Sequence, residues 1–492
     1  MANTLLDGTR SIDERDVDVA RGDAPTDHAA PTAPGSAAAP RAPVPEEGRR
    51  ERFLRAYVAA LEHEHLDWCV LRGHDAFPSP GPGRDLDLVV APEHAARAVS
   101  IARELARAHG VSTWEHRRLG DLEELHFHAF EGPGRHAFFG LDLHRAEACF
   151  GVRYANARHV LAGTTLERGL RRPRPAIAAC VDAFGAFLSG GALPARHARE
   201  LRTAVLRDPS AVRAELARWF GAARAERIVA TVAAAEDFAG ALDHRALRRA
   251  LLVRAAARAP LGAFAGALRH AWNARVVPLV RPRGRFFALL GTDGSGKSTV
   301  LRGVLDVLLP AFGRERLHDY HLRPMLLPQL NALLHGGRTT YSLADMADPH
   351  RARPSGRVGS NLRALWYAAD WVLGYALRIL PLRRRACVVA FDRYAHDYLV
   401  DPLRSRIRRD SLFLRPLCAL CPAPDRLYVC LAPLDVVRAR KQELSLEESR
   451  LQIERYAALA EQHPRARRID TSTTVEAAVD AILCDLFAEE RA

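Results

Sequence analysis

The stretch "RFFALLGTDGSGKSTV", Arg285–Val300, decides how the second half of the chain is read. An apolar run with the character of a buried strand leads into a glycine-rich turn. The turn ends in Lys297-Ser298-Thr299, and the helical pattern "TVLRGVLDVLL" follows. Gly291 to Ser298 fits G-x-x-x-x-G-K-[ST] at every position, and the strand before and helix after give that pattern its meaning. Gly291, Gly294 and Gly296 let the backbone turn sharply and, with Ser295, aim N–H groups inward. The helix start at Ser298 and Thr299 adds partial positive charge. Lys297 is placed to reach β- and γ-phosphates and Ser298 to ligate Mg²⁺, so ATP and Mg²⁺ are the expected cofactors.

Working outward, "CVVAF" and "RLYVCLA" are further short buried strands separated by helices, the pattern of a parallel α/β sheet. "ACVVAFDRY" closes on Asp392-Arg393-Tyr394. A carboxylate at the carboxyl end of such a strand suits Mg²⁺ or its waters, and Arg393 beside it can fork a phosphate. "PDRLYVCLAPLDVVRARKQE" then brings Arg438, Arg440 and Lys441, either a lid stabilising transferred charge or a solvated helix end. Ser445 and Glu448 form a capping box, and "RRIDTSTTVEAAVDAIL" reads as the last strand and helix.

GTDGSGKST, FDRY and PDRLYVCLAP followed by basic residues resemble the thymidylate kinase family of P-loop kinases over residues 285–488. The resemblance implies that Asp293 meets the sugar of an acceptor nucleotide and Arg393 its phosphate; Tyr394 and Asp397 are further candidate substrate residues, Asp397 for an acceptor site unlike the family's. After Tyr394 the chain reads "AHDYLVDPLRSR" instead of the family's serine and Ala-Tyr pair, so phosphoryl transfer is expected without thymidylate being specified. Asp401, "HDYHLRPMLLP" and Asp348-Pro349-His350 also fall where acceptor contacts are expected.

A second constellation lies near the amino terminus. "DWCVLRG" and "DLDLVV" read as strands, "EHAARAVSIARELARAHG" as an amphipathic helix, and "ELHFHAF" and "HAFFGLDLH" as two more strands. Residues two apart on a strand share a face, so Asp85 and Asp87 point together, and Asp142 on another strand can join them. Converged carboxylates hold divalent metal, which makes Asp85, Asp87 and Asp142 candidate ligands. Gly73, Asp85, Asp87 and Asp142 resemble the nucleotidyltransferase fold, with His74 where that fold carries serine. His126 and His128 share one strand face and are candidates to line the same cleft.

The chain has 492 residues, 48% hydrophobic and 26% charged, which predicts two or three soluble globular domains. The net charge of +13 favours anionic partners: nucleotides, nucleic acid or an acidic membrane surface. No aromatic-plus-basic stacking platform is visible, so nucleic acid is the less favoured partner. The eight scattered cysteines and the absence of a secretory segment predict a reduced, cytoplasmic setting. "LWYAADWVLGYALRILPL" is interrupted by Asp370 and Arg378 and expected to end at Pro381, so it reads as a buried or amphipathic helix, not a membrane span.

The expected architecture is multidomain: a disordered tail (1–47), an α+β nucleotidyltransferase-like domain (48–170), a helical connector (171–280) and an α/β P-loop kinase domain with a parallel sheet (281–492). The expected activity is transfer of the ATP γ-phosphoryl group to a nucleoside monophosphate or similar small phosphorylated acceptor. The alternatives are a nucleotidyltransferase with a nucleotide-binding partner domain and a non-catalytic ATP-gated binding protein. A homodimer is compatible with the sequence.

Overall fold

A computed structural model describes residues 47–72, 74, 77–79, 85–328, 356–442 and 444–489. The expected tail (apart from Glu47), Gly73 and Asp348-Pro349-His350 lie outside the described residues. The chain is a multidomain α/β protein built on one mixed and one parallel sheet.

The first sheet comprises β1 (Trp68–Arg72), β2 (Asp85–Val90), β3 (Val111–Leu119), β4 (Leu122–Gly132) and β5 (Arg135–His144), in the order β1-β2-β5-β4-β3. β2 and β5 run parallel and the other pairs antiparallel. Alternation along β2 sends Leu86 and Leu88 inward. There they join Phe53 and Tyr57 of the helix Arg49–His63 and Ile101 of the helix Ala95–Ala108 in one core. The other face of the sheet carries Asp85, Asp87, Glu124, His126 and Asp142, brought together by the register Asp87↔Asp142, Glu124↔Asp142 and His126↔Gly140.

Two hairpins follow, β6 (Ala146–Cys149) with β7 (Val152–Asn156) and β8 (Thr165–Glu167) with β9 (Leu170–Arg172). Helices Pro175–Gly190, Ala195–Arg207, Pro209–Phe220, Ala222–Ala234 and His244–Arg258 come next. Their Phe184, Leu216, Trp219 and Ile228 share a core with Cys69, Leu71 and Val89 of the first sheet and Cys149 and Ala155 of the first hairpin. The helices expected as a connector are therefore packed onto the first sheet, because their apolar stripes find its strand ends and not each other alone.

The next helix, Pro260–Arg275, is attached differently. Gly266 is its only buried residue, and a Cβ there would sit 2.1 Å from the Gly151 carbonyl oxygen in the β6–β7 turn. Only two backbones without side chains can approach this closely. Gly266→Ala should destabilise the protein by about 1–3 kcal/mol, the cost of overpacking. Thermal unfolding against wild type checks this; an unchanged Tm would show that the seam is not tight.

The second sheet comprises β10 (Phe286–Leu290), β11 (Leu317–His321), β12 (Val388–Asp392), β13 (Arg426–Leu431) and β14 (Ala466–Asp470). All pairs are parallel, in the order β11-β12-β10-β13-β14. β10 is central and wholly buried, which is why "FFALL" has no polar face. Val304 of the helix Lys297–Phe312 and Ile482 of the helix Val475–Leu486 cover one side. Trp371 of the helix Arg357–Gly374 and Tyr456 of the helix Leu446–Gln462 cover the other. The chain goes from β10 to β11 on one side and from β12 across to β13 on the other, so a crevice opens at the carboxyl ends of the strands. Ser445 caps the helix after it by accepting from the Glu448 N–H at 3.2 Å.

The long apolar segment differs from expectation at Pro381. After Gly374 the chain passes through a π-turn over Tyr375–Ile379 and continues helically over Leu380–Arg384. Pro381 sits in the first turn of that last piece, where its missing N–H costs nothing. Among the described residues no helix is long and apolar enough to cross a membrane. All eight cysteines are free thiols, and burial pushes Cys418 and Cys421 up to about 12.

Candidate active site

The glycine loop emerges from the carboxyl end of β10. Gly291, Gly294 and Gly296 have φ of 144°, 84° and 83°. A Cβ on Gly291 would lie 2.5 Å from the Cys430 carbonyl, and one on Gly294 2.7 Å from that of Val437. The loop is thus pressed between β13 and the short helix Leu434–Arg440, and only glycine fits. Ser295 is buried with its Oγ lacking a hydrogen-bond partner, while Ser298 and Thr299 are exposed at the helix start.

Lys297 is buried, and its ammonium donates to the Thr292 carbonyl at 2.6 Å. Burial, with the nearby Arg393 guanidinium, lowers its pKa to about 8. Between that value and the ordinary 10.5 the unfolded chain holds a proton that the folded chain has released, so this group makes stability rise with pH over that window. Anion binding runs the other way, because a bound polyanion draws the proton back. ATP affinity should fall roughly tenfold per pH unit above pH 8, with proton uptake on binding. Calorimetric titrations in buffers of different ionisation heat between pH 7 and 10 check this; a flat profile would mean Lys297 does not meet phosphate.

Ser298 Oγ donates to Asp392 Oδ2 at 2.6 Å across the crevice. Asp392 Oδ1 is buried without a hydrogen-bond partner. A hydroxyl and an orphaned carboxylate oxygen at this point fit a hydrated divalent cation. His321, at the end of β11, brings Nδ1 to 3.9 Å from Asp392 Oδ2.

Arg393 follows in a left-handed backbone conformation, φ 75°, and its side chain is buried. Nη1 donates to both Asp397 oxygens at 2.9 and 3.0 Å, and Nη2 donates to Asp293 Oδ1. The other oxygen of Asp293 accepts from Arg404 at 2.6 Å. Burial alone would raise the Asp293 pKa, but Arg393, Arg404 and Lys297 hold it well below the usual carboxylate range. The Tyr456 hydroxyl also donates to Asp397, so that carboxylate is fully enclosed. Asp397 thus orients Arg393 and is too deep to touch a ligand.

Tyr394 is turned away from this cluster. It is fully buried, packs its ring 4.0 Å from that of Trp371, and donates its hydroxyl to the Pro422 carbonyl. Of the basic residues after β13, Arg440 and Lys441 flank the glycine loop. Arg440 Nη1 is 3.5 Å from a Cβ on Gly296 and Lys441 Cβ is 3.2 Å from one on Gly294. Arg440 donates to the Thr471 carbonyl, and Arg438 is tied to the Leu444 carbonyl. Arg323, within the segment expected to face the acceptor, is spent on buried Asp370 at 3.1 Å. Asp401 is buried beside the turn to Arg404, whose N–H it accepts at 3.4 Å. Arg404 and Tyr456 were not among the residues singled out from sequence. The Asp-Pro at 401–402, a turn signal placing Arg404 two residues on, could have pointed to the first.

The amino-terminal carboxylates are arranged as the strand register requires, with Asp87 beside Asp142. Asp87, Asp142 and His144 offer atoms within 4.8 Å of one another. Arg72 Nε already lies 2.8 Å from Asp87 Oδ2, and Glu147 lies 3.2 Å from His144 Nδ1. Burial, then the Asp87 and Asp85 carboxylates, push Asp142 up to about 8. Asp87, Asp142 and His144 are close enough together to share one cation, and Arg72 offsets part of their charge. Asp85 stands apart over Gly140 and faces a cavity of about 310 Å³ shared with His126, Trp114, Arg283, Arg316 and Arg385. His128 does not join it; its ring pairs with His136 at 2.8 Å, which reaches Asp480 at 2.8 Å. The cavity meets the amino ends of β10 and β12, whereas the glycine loop leaves the carboxyl end of β10. A five-residue strand separates the two by roughly 17 Å.

No family model matches this chain, and no curated protein matches it. Among solved structures it is similar to the thymidylate kinase from Ehrlichia chaffeensis, with 15% identity, a TM-score of 0.30 and coverage of 42% of this chain and 100% of that one. The functional reading rests on the residues themselves.

Proposed function

We propose that residues 281–492 form a P-loop kinase of thymidylate kinase-like type, which moves the γ-phosphoryl group of ATP to a small phosphorylated acceptor, most simply a nucleoside monophosphate. The observation that carries this reading is the part-buried Arg393–Asp293–Arg404 arrangement beside Lys297. Two guanidiniums converge on a loop carboxylate next to a phosphate-type lysine. An acceptor phosphate can replace Asp293 between them, which frees that carboxylate for a hydroxyl of the acceptor. The bond between the γ-phosphorus and the β–γ bridging oxygen breaks, a bond to an acceptor phosphate oxygen forms, and ADP leaves. Lys297 holds phosphate oxygens, and Arg440 and Lys441 flank the loop where charge develops. Ser298 and Asp392 are the residues that would hold Mg²⁺, which neutralises phosphate charge when bound. No side-chain nucleophile is required, because positioning and electrostatics carry this chemistry.

The test is a screen of the purified full chain with ATP and Mg²⁺ against nucleoside and sugar monophosphates, following ADP and the phosphorylated product. ATP binding without ADP formation in the presence of any acceptor would replace this reading with the non-catalytic ATP-gated binding protein. The nucleotidyltransferase alternative has less support, because Arg72 already engages Asp87 and the Asp85 cavity lies at the opposite end of the parallel sheet from the glycine loop. Activity lost with Asp85→Asn and kept with Lys297→Ala would restore it.

A further inference from the structure

The helix Pro260–Arg275 presents its side chains the wrong way round for a core element. Leu261, Phe264, Leu268 and Trp272 are 84, 71, 61 and 58% exposed. Their spacing of three, four and four residues places them on one stripe of the helix. The opposite side is small: Gly266 meets Gly151 backbone to backbone, and His270 sets its ring 5.6 Å from Phe150 of the same hairpin turn. The helix is thus fastened by its glycine and turns its large apolar side chains outward. Leu279 and Val280, 50 and 80% exposed, extend the stripe beyond its end.

Along the chain, the charge in and beside this helix has one sign. From His244 to Thr292 the chain contains ten arginines and no aspartate or glutamate. Arg275 and Arg281 are exposed at the end of the stripe. Sixteen residues make a helix about 24 Å long, enough to lie along a surface. No described helix is long and apolar enough to span a bilayer, so the contact would be peripheral.

We propose that this stripe is a docking surface for a bilayer carrying anionic phospholipid headgroups. Leu261, Phe264, Leu268 and Trp272 enter the boundary between headgroups and acyl chains, and the surrounding arginines meet the phosphates. A second copy of the chain is a poorer occupant, because a two-fold contact here sets arginine against arginine. A nucleic acid is poorer too, since the centre of the surface is aliphatic and offers one indole, not a stacking platform.

Vesicle sedimentation of the full chain tests this. The protein should pellet with phosphatidylcholine vesicles containing about one-third phosphatidylglycerol, and not with phosphatidylcholine alone. Raising salt to roughly 0.5 M should release it. The exposed double variant Phe264→Glu/Leu268→Glu should pellet at least about tenfold less, with ATP binding unchanged. Trp272→Phe should remove most of the blue shift in emission that anionic vesicles induce. Equal pelleting with neutral vesicles, no pelleting, or an unaffected double variant would overturn the proposal. So would a wild-type dimer that the double variant dissociates, or loss of oligonucleotide binding in a protein that never pellets.

Discussion

Lys297→Ala is expected to lower acceptor phosphorylation by roughly a hundred- to thousandfold while leaving the fold intact or slightly more stable. The two effects have one cause. The ammonium is buried and its pKa is lowered to about 8, so the folded chain bears a desolvation cost that the Thr292 carbonyl only partly offsets. Alanine removes that cost together with the charge that meets phosphate. Steady-state kinetics and thermal unfolding on one preparation check both. A fall in activity accompanied by a large fall in Tm would indicate that Lys297 is structural, and unchanged activity would remove the kinase reading.

Arg393→Ala should abolish activity and also destabilise strongly. It leaves Asp397 buried with only Tyr456 for a partner, and an uncompensated buried charge costs about 3–5 kcal/mol. For a domain of this size that is a fall in Tm of roughly 10 °C. Adding Asp397→Asn removes the orphaned charge, so the double variant should recover most of the stability and none of the activity. Arg404→Ala serves as the contrast. Its carboxylate partner Asp293 keeps Arg393, so stability should change by about 1 kcal/mol or less while the acceptor KM rises at least tenfold. If Arg393→Ala is as stable as wild type, the buried pair does not organise the turn. If Arg404→Ala leaves KM unchanged, the acceptor does not reach Asp293.

The parts of the site legible in the sequence are those whose chemistry is contiguous. The glycine loop needs only a buried strand, three residues free to take positive φ, and a helix start. All of these lie within Arg285–Val300. Asp392 was legible as a strand-end carboxylate for the same reason. Tyr394 was not, although it is next in the chain to Arg393. The left-handed turn at Arg393 sends one side chain into the crevice and the next under the sheet against Trp371. His126 and His128 share a strand face, as their spacing requires. One faces the Asp85 cavity and the other is committed to His136.

The sequence by itself determined the alternation of strands and helices after Arg285, the glycine loop, and the pairing of Asp85 with Asp87 on one strand face, because each follows from residues a few positions apart. Tertiary structure alone decided which charges neutralise one another. Asp293 meets Arg404 across 111 positions, Asp397 meets Tyr456 across 59, and Arg72 reaches Asp87 from the neighbouring strand. It also decided the orientation of the helix Pro260–Arg275, where Gly266 meets Gly151 and leaves Phe264, Leu268 and Trp272 facing outward. Coulombic and packing energies depend on distance in space. Separation along the chain enters them only through the fold.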